Sequence, residues 1–225
     1  MYSNNGIDTH LTQTQRQVML GGLLGDLCII RRKPTHNAYI AITHSMKQIE
    51  YVEWKYNILK NIAVSPPVPY VVRVMGKEYN TVELHTRRLP CITEIYNLMG
   101  AREITHRWLD EITEPIAIAV WYMDDGCCYK IKNGYAMEFS TGHRNQNELD
   151  LLTSWMHDVF GLDGVKSYIP PTRPTATVLK IHRKQDARKF EEIIRPYIIP
   201  SMQYKLPTFR LGISRAGPMP SGSSL

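Results

Sequence analysis

This sequence carries one long pattern twice. An apolar stretch at residues 18–26 (VMLGGLLGD) ends in an acid, and a second at residues 116–126 (IAIAVWYMDDG) ends the same way; Asp26 and Asp125 stand 99 positions apart (125 − 26). The segments after the two acids repeat as well. A short basic stretch (28–33; 129–132) leads into an alternating one (38–45; 135–142). Ile40 and Ile42 oppose Tyr39, Ala41 and Thr43, as Met137 and Phe139 oppose Ala136, Glu138 and Ser140. Alternation with one polar face predicts half-buried antiparallel strands. An amphipathic helical pattern comes next (49–62; 149–160), then a hairpin (70–75 with 81–86; 165–169 with 177–182), then a closing helix (89–99; 186–196). The fold expected is α+β, two pseudo-symmetric αββαββα halves at residues 1–110 and 111–211. The tail at 212–225, rich in Gly, Ser and Pro, is expected to be flexible.

The motif stretches constrain how the halves meet. Gly21, Gly22 and Gly25 lie just before Asp26, and a glycine inside a helix costs about 1 kcal/mol relative to alanine. Three of them need a reason, and close approach of a second backbone is the most economical. Ala117 and Ala119 give the second motif small surfaces too. Gly21, Gly22, Gly25 and Ala119 are therefore the expected helix interface, with the two motif helices packed at the centre. Two carboxylates brought together at helix C-termini repel unless a cation lies between them. Hard oxygen donors point to Mg²⁺.

Composition narrows the partners. Lys and Arg number 27 against 21 Asp and Glu, a formal charge of +6, and the excess is clustered. No acid falls between Asp26 and Glu50, where Arg31, Arg32, Lys33 and Lys47 lie. From Lys166 to Lys189 seven cations, among them Arg173 and Lys180, meet only Asp186. Basic clusters beside strand-like segments are a footprint of nucleic-acid binding. Cys28, Cys91, Cys127 and Cys128 lack metal-ligand spacing and are too sparse for a disulfide framework, so they are expected as reduced, mostly buried thiols. The polar N-terminus lacks a signal-peptide core, and no apolar run approaches a membrane span. The expectation is a soluble, intracellular protein.

GLLGD and WYMDDG at this spacing resemble the paired motifs of monomeric LAGLIDADG homing endonucleases, as do residues 44–59 (HSMKQIEYVEWKYNIL) and 195–207 (RPYIIPSMQYKLP). The likeness covers about residues 16–210. It departs from the namesake motif where Leu24 and Met123 stand for its first acid and Leu27 for its final glycine. The resemblance implies a monomeric, Mg²⁺-dependent hydrolase of organelle or bacterial cytoplasm, cutting both strands of a long, asymmetric duplex in intron homing. Mn²⁺ or Ca²⁺ would substitute for binding. It implies Asp26 and Asp125, not Asp124, as metal ligands, with Lys205 and Arg102 as cations beside the scissile phosphates. The antiparallel sheets would form a saddle on the DNA. The residues expected to face it are Arg31, Arg32, Lys33, Tyr39, Thr43, Arg73, Lys77, Glu83 and His85, then Lys130, Lys132, Glu138, Ser140, Arg173, Lys180 and His182. Some relatives instead bind intron RNA as splicing maturases, and that is the alternative.

Overall fold

A computed structural model describes residues 10–100, 103–132, 134–171 and 174–210. Arg102, Arg173 and the expected flexible tail at 212–225 lie outside the described residues. The chain divides into two compact units, Met1–Ala117 and Ile118–Leu225.

The first unit begins with α1 (Gln13–Leu24). Thr12 starts it in a reciprocal cap: its hydroxyl accepts from the Gln15 amide, and the Gln15 side chain accepts from the Thr12 amide. Such a box satisfies two donors that a helix start leaves without partners. Then come β1 (Cys28–Ile30), β2 (Tyr39–Ser45), α2 (Ile49–Leu59), β3 (Val68–Val74), β4 (Lys77–His85), α3 (Pro90–Met99) and α4 (His106–Asp110). The strands form one antiparallel sheet in the order β1-β2-β4-β3. Ile42 pairs with Leu84 and His44 with Val82. With Ile40 these make the inner face, buried together with Tyr51, Val52 and Leu59 of α2. Beyond that core the β3–β4 ribbon runs on with most of its residues exposed. The α4 helix falls inside 106–114, where the repeat alone showed no element.

One buried polar group sets the path between the repeats. Gln17 is fully buried, so its amide needs partners. Its Nε2 donates to the Glu111 carbonyl at 2.8 Å, and its Oε1 accepts from the amides of Thr113 and Glu114 at 3.0 and 3.2 Å. This ties the segment before α5 (Pro115–Asp125) to α1.

The second unit holds the rest of α5, then β5 (Gly126–Ile131), β6 (Gly134–Gly142), α6 (Gln146–Phe160), β7 (Val165–Tyr168), β8 (Thr177–Ile181), α7 (Lys184–Ile194), two 3-10 turns (Arg195–Tyr197 and Pro200–Lys205) and α8 (Pro207–Arg210). Its sheet order, β5-β6-β8-β7, repeats that of the first unit. Trp121, Tyr122, Phe139 and Phe190 form an aromatic core with ring centroids 4.2 to 5.5 Å apart. No helix among the described residues is long and apolar enough to cross a membrane.

The glycines divide the labour expected of them jointly. A Cβ on Gly21 would lie 1.9 Å from the Ala117 carbonyl oxygen, so here two backbones do meet. On Gly22 the nearest atoms a Cβ would meet are those of the Leu27 side chain, from 3.0 Å. Gly25 caps α1, its amide and that of Leu27 both donating to the Gly22 carbonyl. Gly22 and Gly25 shape the exit from α1, and Ala119 is fully buried in the second unit. The thiols also differ from expectation: Cys91 and Cys128 are buried, but Cys28 and Cys127 are exposed, because both face outward on edge strands.

Candidate functional site

Asp26 lies two residues past the end of α1 and just before β1, with its side chain 46% exposed. Behind it is a buried polar train. Asp26 Oδ2 is 3.8 Å from His44 Nδ1, which is 3.1 Å from Gln48 Oε1. His44 Nε2 is 3.2 Å from Lys55 Nζ, and Lys55 is fully buried with its nitrogen 4.2 Å from the centre of the Tyr51 ring. Neither His44 nor Lys55 stood out as functional in the sequence. The signal was there: Tyr51, Val52, Lys55 and Leu59 share helical spacing, which puts a lysine on the apolar stripe of α2.

In the second unit α5 ends in Asp124, at 9% exposure, and the more open Asp125. The last carbonyls of a helix have no partner inside it and carry partial negative charge. Lys205, in the second 3-10 turn, supplies both donor and charge. Its Nζ donates to the carbonyls of Met123, Asp124 (3.0 Å) and Tyr122 (3.5 Å), and the Tyr122 hydroxyl donates to the Lys205 carbonyl at 2.8 Å. The lysine expected beside a phosphate is buried here against the end of the motif helix. Gly126 completes this end: a Cβ there would come within 2.2 Å of the Tyr122 ring.

Strand register decides which cations face outward. On the first sheet Tyr39, Thr43, Lys77, Glu83 and His85 share the outer face with Val68, Tyr70, Val72, Val74 and Tyr79. Tyr39 is nevertheless only 9% exposed, lying 6.1 Å from the His85 ring and beneath the Arg88 guanidinium at 5.3 Å. Arg73 corrects the expectation: it pairs with Glu78 on the face that carries Ile42 and Val82, bonding that carboxylate at 2.7 and 2.8 Å. Arg31 does too, since its guanidinium folds back onto the carbonyls of His36 and Pro34. Arg32 and Lys33 are exposed beyond β1.

On the second sheet Glu138, Ser140 and Lys180 share the outer face with Cys127, Tyr129 and Tyr168, and His182, just past β8, has the same parity. Lys130 falls instead with Cys128 and Met137 on the inner-face register, at its exposed end, and Lys132 lies past the strand. Glu138 is only 7% exposed: it accepts from the hydroxyls of Tyr129 and Tyr168 at 2.9 and 3.0 Å. Burial, and then the bond to that carboxylate, pushes both phenols above their usual range. Lys180 Nζ lies 5.1 Å from the Tyr129 ring centre.

The LAGLIDADG DNA endonuclease family model matches residues 16–188. The chain belongs to this family. Among curated relatives, it is 29% identical over 216 residues to a protein named RecA from Mycolicibacterium flavescens, which covers 89% of this chain and 48% of that protein. It is 27% identical over 216 residues to the cytochrome b mRNA maturase bI2 of Saccharomyces cerevisiae, covering 90% of this chain and 49% of that one. The chain thus spans about half the length of these relatives. Its fold matches that of the homing endonuclease I-WcaI, solved bound to its DNA recognition sequence, with a TM-score of 0.76, 22% identity and 87% of each chain covered.

Each motif helix of this LAGLIDADG chain has carboxylate oxygens at its C-terminal end, Asp26 just past α1 and Asp125 as the last residue of α5. Those oxygens are at least partly open, stand at the negative end of a helix dipole, and sit at the first strand of a sheet. Hard anionic donors on such a terminus fit a hard divalent cation such as Mg²⁺.

Proposed function

We propose that this protein is a site-specific homing endonuclease that hydrolyses one phosphodiester on each strand of a long, asymmetric DNA duplex. The observation that carries the reading is the placement of the motif acids. In both units the acid occupies the junction where a helix ends and the outermost strand of a four-stranded sheet begins. An antiparallel ribbon fits the major groove, so a sheet lying on DNA carries its acid alongside the sugar–phosphate backbone.

In this reading Asp26 and Asp125 hold Mg²⁺, for which Mn²⁺ or Ca²⁺ substitutes in binding. When bound, such an ion lowers the pKa of a water and neutralises charge on the leaving oxygen. The chain's own part is positional. The buried His44 backs Asp26, and Lys205 fixes the end of α5 by donating to the carbonyls of Met123 and Asp124. Arg102 is the counterpart proposed for the first half; as an arginine it contributes charge and not proton transfer. The outer-face side chains Thr43, Lys77, His85, Ser140, Lys180 and His182, with Arg32, Lys33, Lys132 and Arg173, supply contacts to phosphates and base edges. The protein works as a monomer, each half reading its own part of the target.

A second reading rests on the likeness to a yeast mRNA maturase over 90% of this chain: the same surface binds intron RNA and assists splicing. One set of assays separates them. Target sites selected from a random duplex library with Mg²⁺ should be cut on both strands, and EDTA should abolish cutting. Asp26→Asn should keep binding within a few-fold and lose cleavage of at least one strand by about 100-fold or more, on the order of removing one hard ligand. Full cleavage by Asp26→Asn would remove that acid from the reaction; no cleavage by the wild type together with tight intron-RNA binding would favour the maturase.

A further inference from the structure

The buried lysine behind Asp26 has no role in the proposed reaction, and burying an ammonium is unfavourable unless its surroundings compensate. Its surroundings here are specific. The Tyr51 ring face lies under it and the His44 Nε2 lies 3.2 Å away. An ammonium has three donors and no acceptor, so its contact with Nε2 requires a lone pair on that nitrogen. A neutral imidazole with a lone pair on Nε2 carries its proton on Nδ1. Two acceptors face Nδ1, Gln48 Oε1 at 3.1 Å and Asp26 Oδ2 at 3.8 Å.

We propose that Lys55 locks His44 in the Nδ1–H tautomer, and that this N–H braces the Asp26 carboxylate from behind. At 3.8 Å the contact is a charge–dipole approach; Gln48 takes the hydrogen bond and fixes the ring plane. His44 and Lys55 are positioning residues. Although His44 and Asp26 each present a ligand atom within 4.8 Å of the other, a protonated Nδ1 has no lone pair for a metal. The imidazole therefore supports the acid instead of joining it as a ligand, the arrangement by which a second layer of hydrogen bonds tunes metal affinity. The bracing of a metal-holding Asp26 rests on the proposed endonuclease function; the tautomer does not.

The test uses the full-length protein without DNA. Nitrogen NMR of ¹⁵N-histidine-labelled protein at neutral pH, free of metal, should show His44 with a protonated Nδ1 and an unprotonated Nε2. Lys55→Met should shift it toward Nε2–H. Mn²⁺ titration monitored by electron paramagnetic resonance should show binding weakened about tenfold or more by Lys55→Met and by His44→Gln, the range expected for removing outer support from a metal site. His44→Asn, which keeps a donor near the Nδ1 position, should restore most of the loss. An Nε2–H wild type overturns the proposal, and that spectrum decides the tautomer even if a variant fails to fold. Unchanged Mn²⁺ affinity in Lys55→Met overturns the bracing. Absence of Mn²⁺ binding by the wild type overturns both the bracing and the metal role of Asp26, whereas loss of DNA cutting alone bears only on the proposed function.

Discussion

Lys55 and Lys205 are both lysines withdrawn from water, and what each faces sets what it does. Lys205 meets three carbonyls at the end of a helix, a structural task; Lys55 meets an imidazole beside a motif acid. Gly21 gives the sharpest prediction at this scale. Alanine there gains about 1 kcal/mol in helix propensity, but its Cβ would sit 1.9 Å from a backbone oxygen that has no rotamer to yield. Gly21→Ala should therefore lose a net ~1–3 kcal/mol, the usual cost of overpacking. Gly22→Ala, whose nearest new contacts are with the Leu27 side chain at 3.0 Å and beyond, should lose less than Gly21→Ala, about 1 kcal/mol or under. Urea denaturation of the two variants checks the difference. The sequence singled out all three glycines for one reason, but only coordinates separate a close backbone approach from a helix cap.

Among the elements, α5 depends most on a distant residue. Its final carbonyls are held by a side chain more than eighty positions away. Lys205→Met leaves those carbonyls without a charged donor, at a cost of about 1.5–3 kcal/mol. Hydrogen exchange at the amides of 122–126 should quicken while that of β6 changes little; uniform quickening of both would mean that α5 does not fray on its own. Strand alternation was readable from the sequence for β2 and β6, because a period of two with one apolar face admits a single register. It failed at Arg73 and Lys130, where the parity places a charge on the inner-face side at a strand end that the core does not reach. At Glu138 alternation gave the right face, but not that two tyrosines cover the carboxylate there.

For the molecule as a whole, the proposed interface is electrostatic before it is specific. Counterion release makes such affinity fall steeply with salt. If about six or more cations reach phosphates, raising salt from roughly 50 to 200 mM should weaken binding about a thousandfold or more. Fluorescence anisotropy with a selected target measures it, and a flat response would argue for a contact dominated by the apolar outer face of β3 and β4, where Val68, Tyr70, Val74 and Tyr79 are about half exposed.

The repeat, the order of elements and the motif acids could be read from the chain because each is periodic or local: alternation, helical spacing and a fixed distance between like segments need no coordinates. The partners of Gln17, the shelter around Glu138 and the line from Asp26 through His44 to Lys55 could not. They join residues on different elements, and whether a buried polar group is a cost or a support depends on which atoms the fold places within about 3 Å of it.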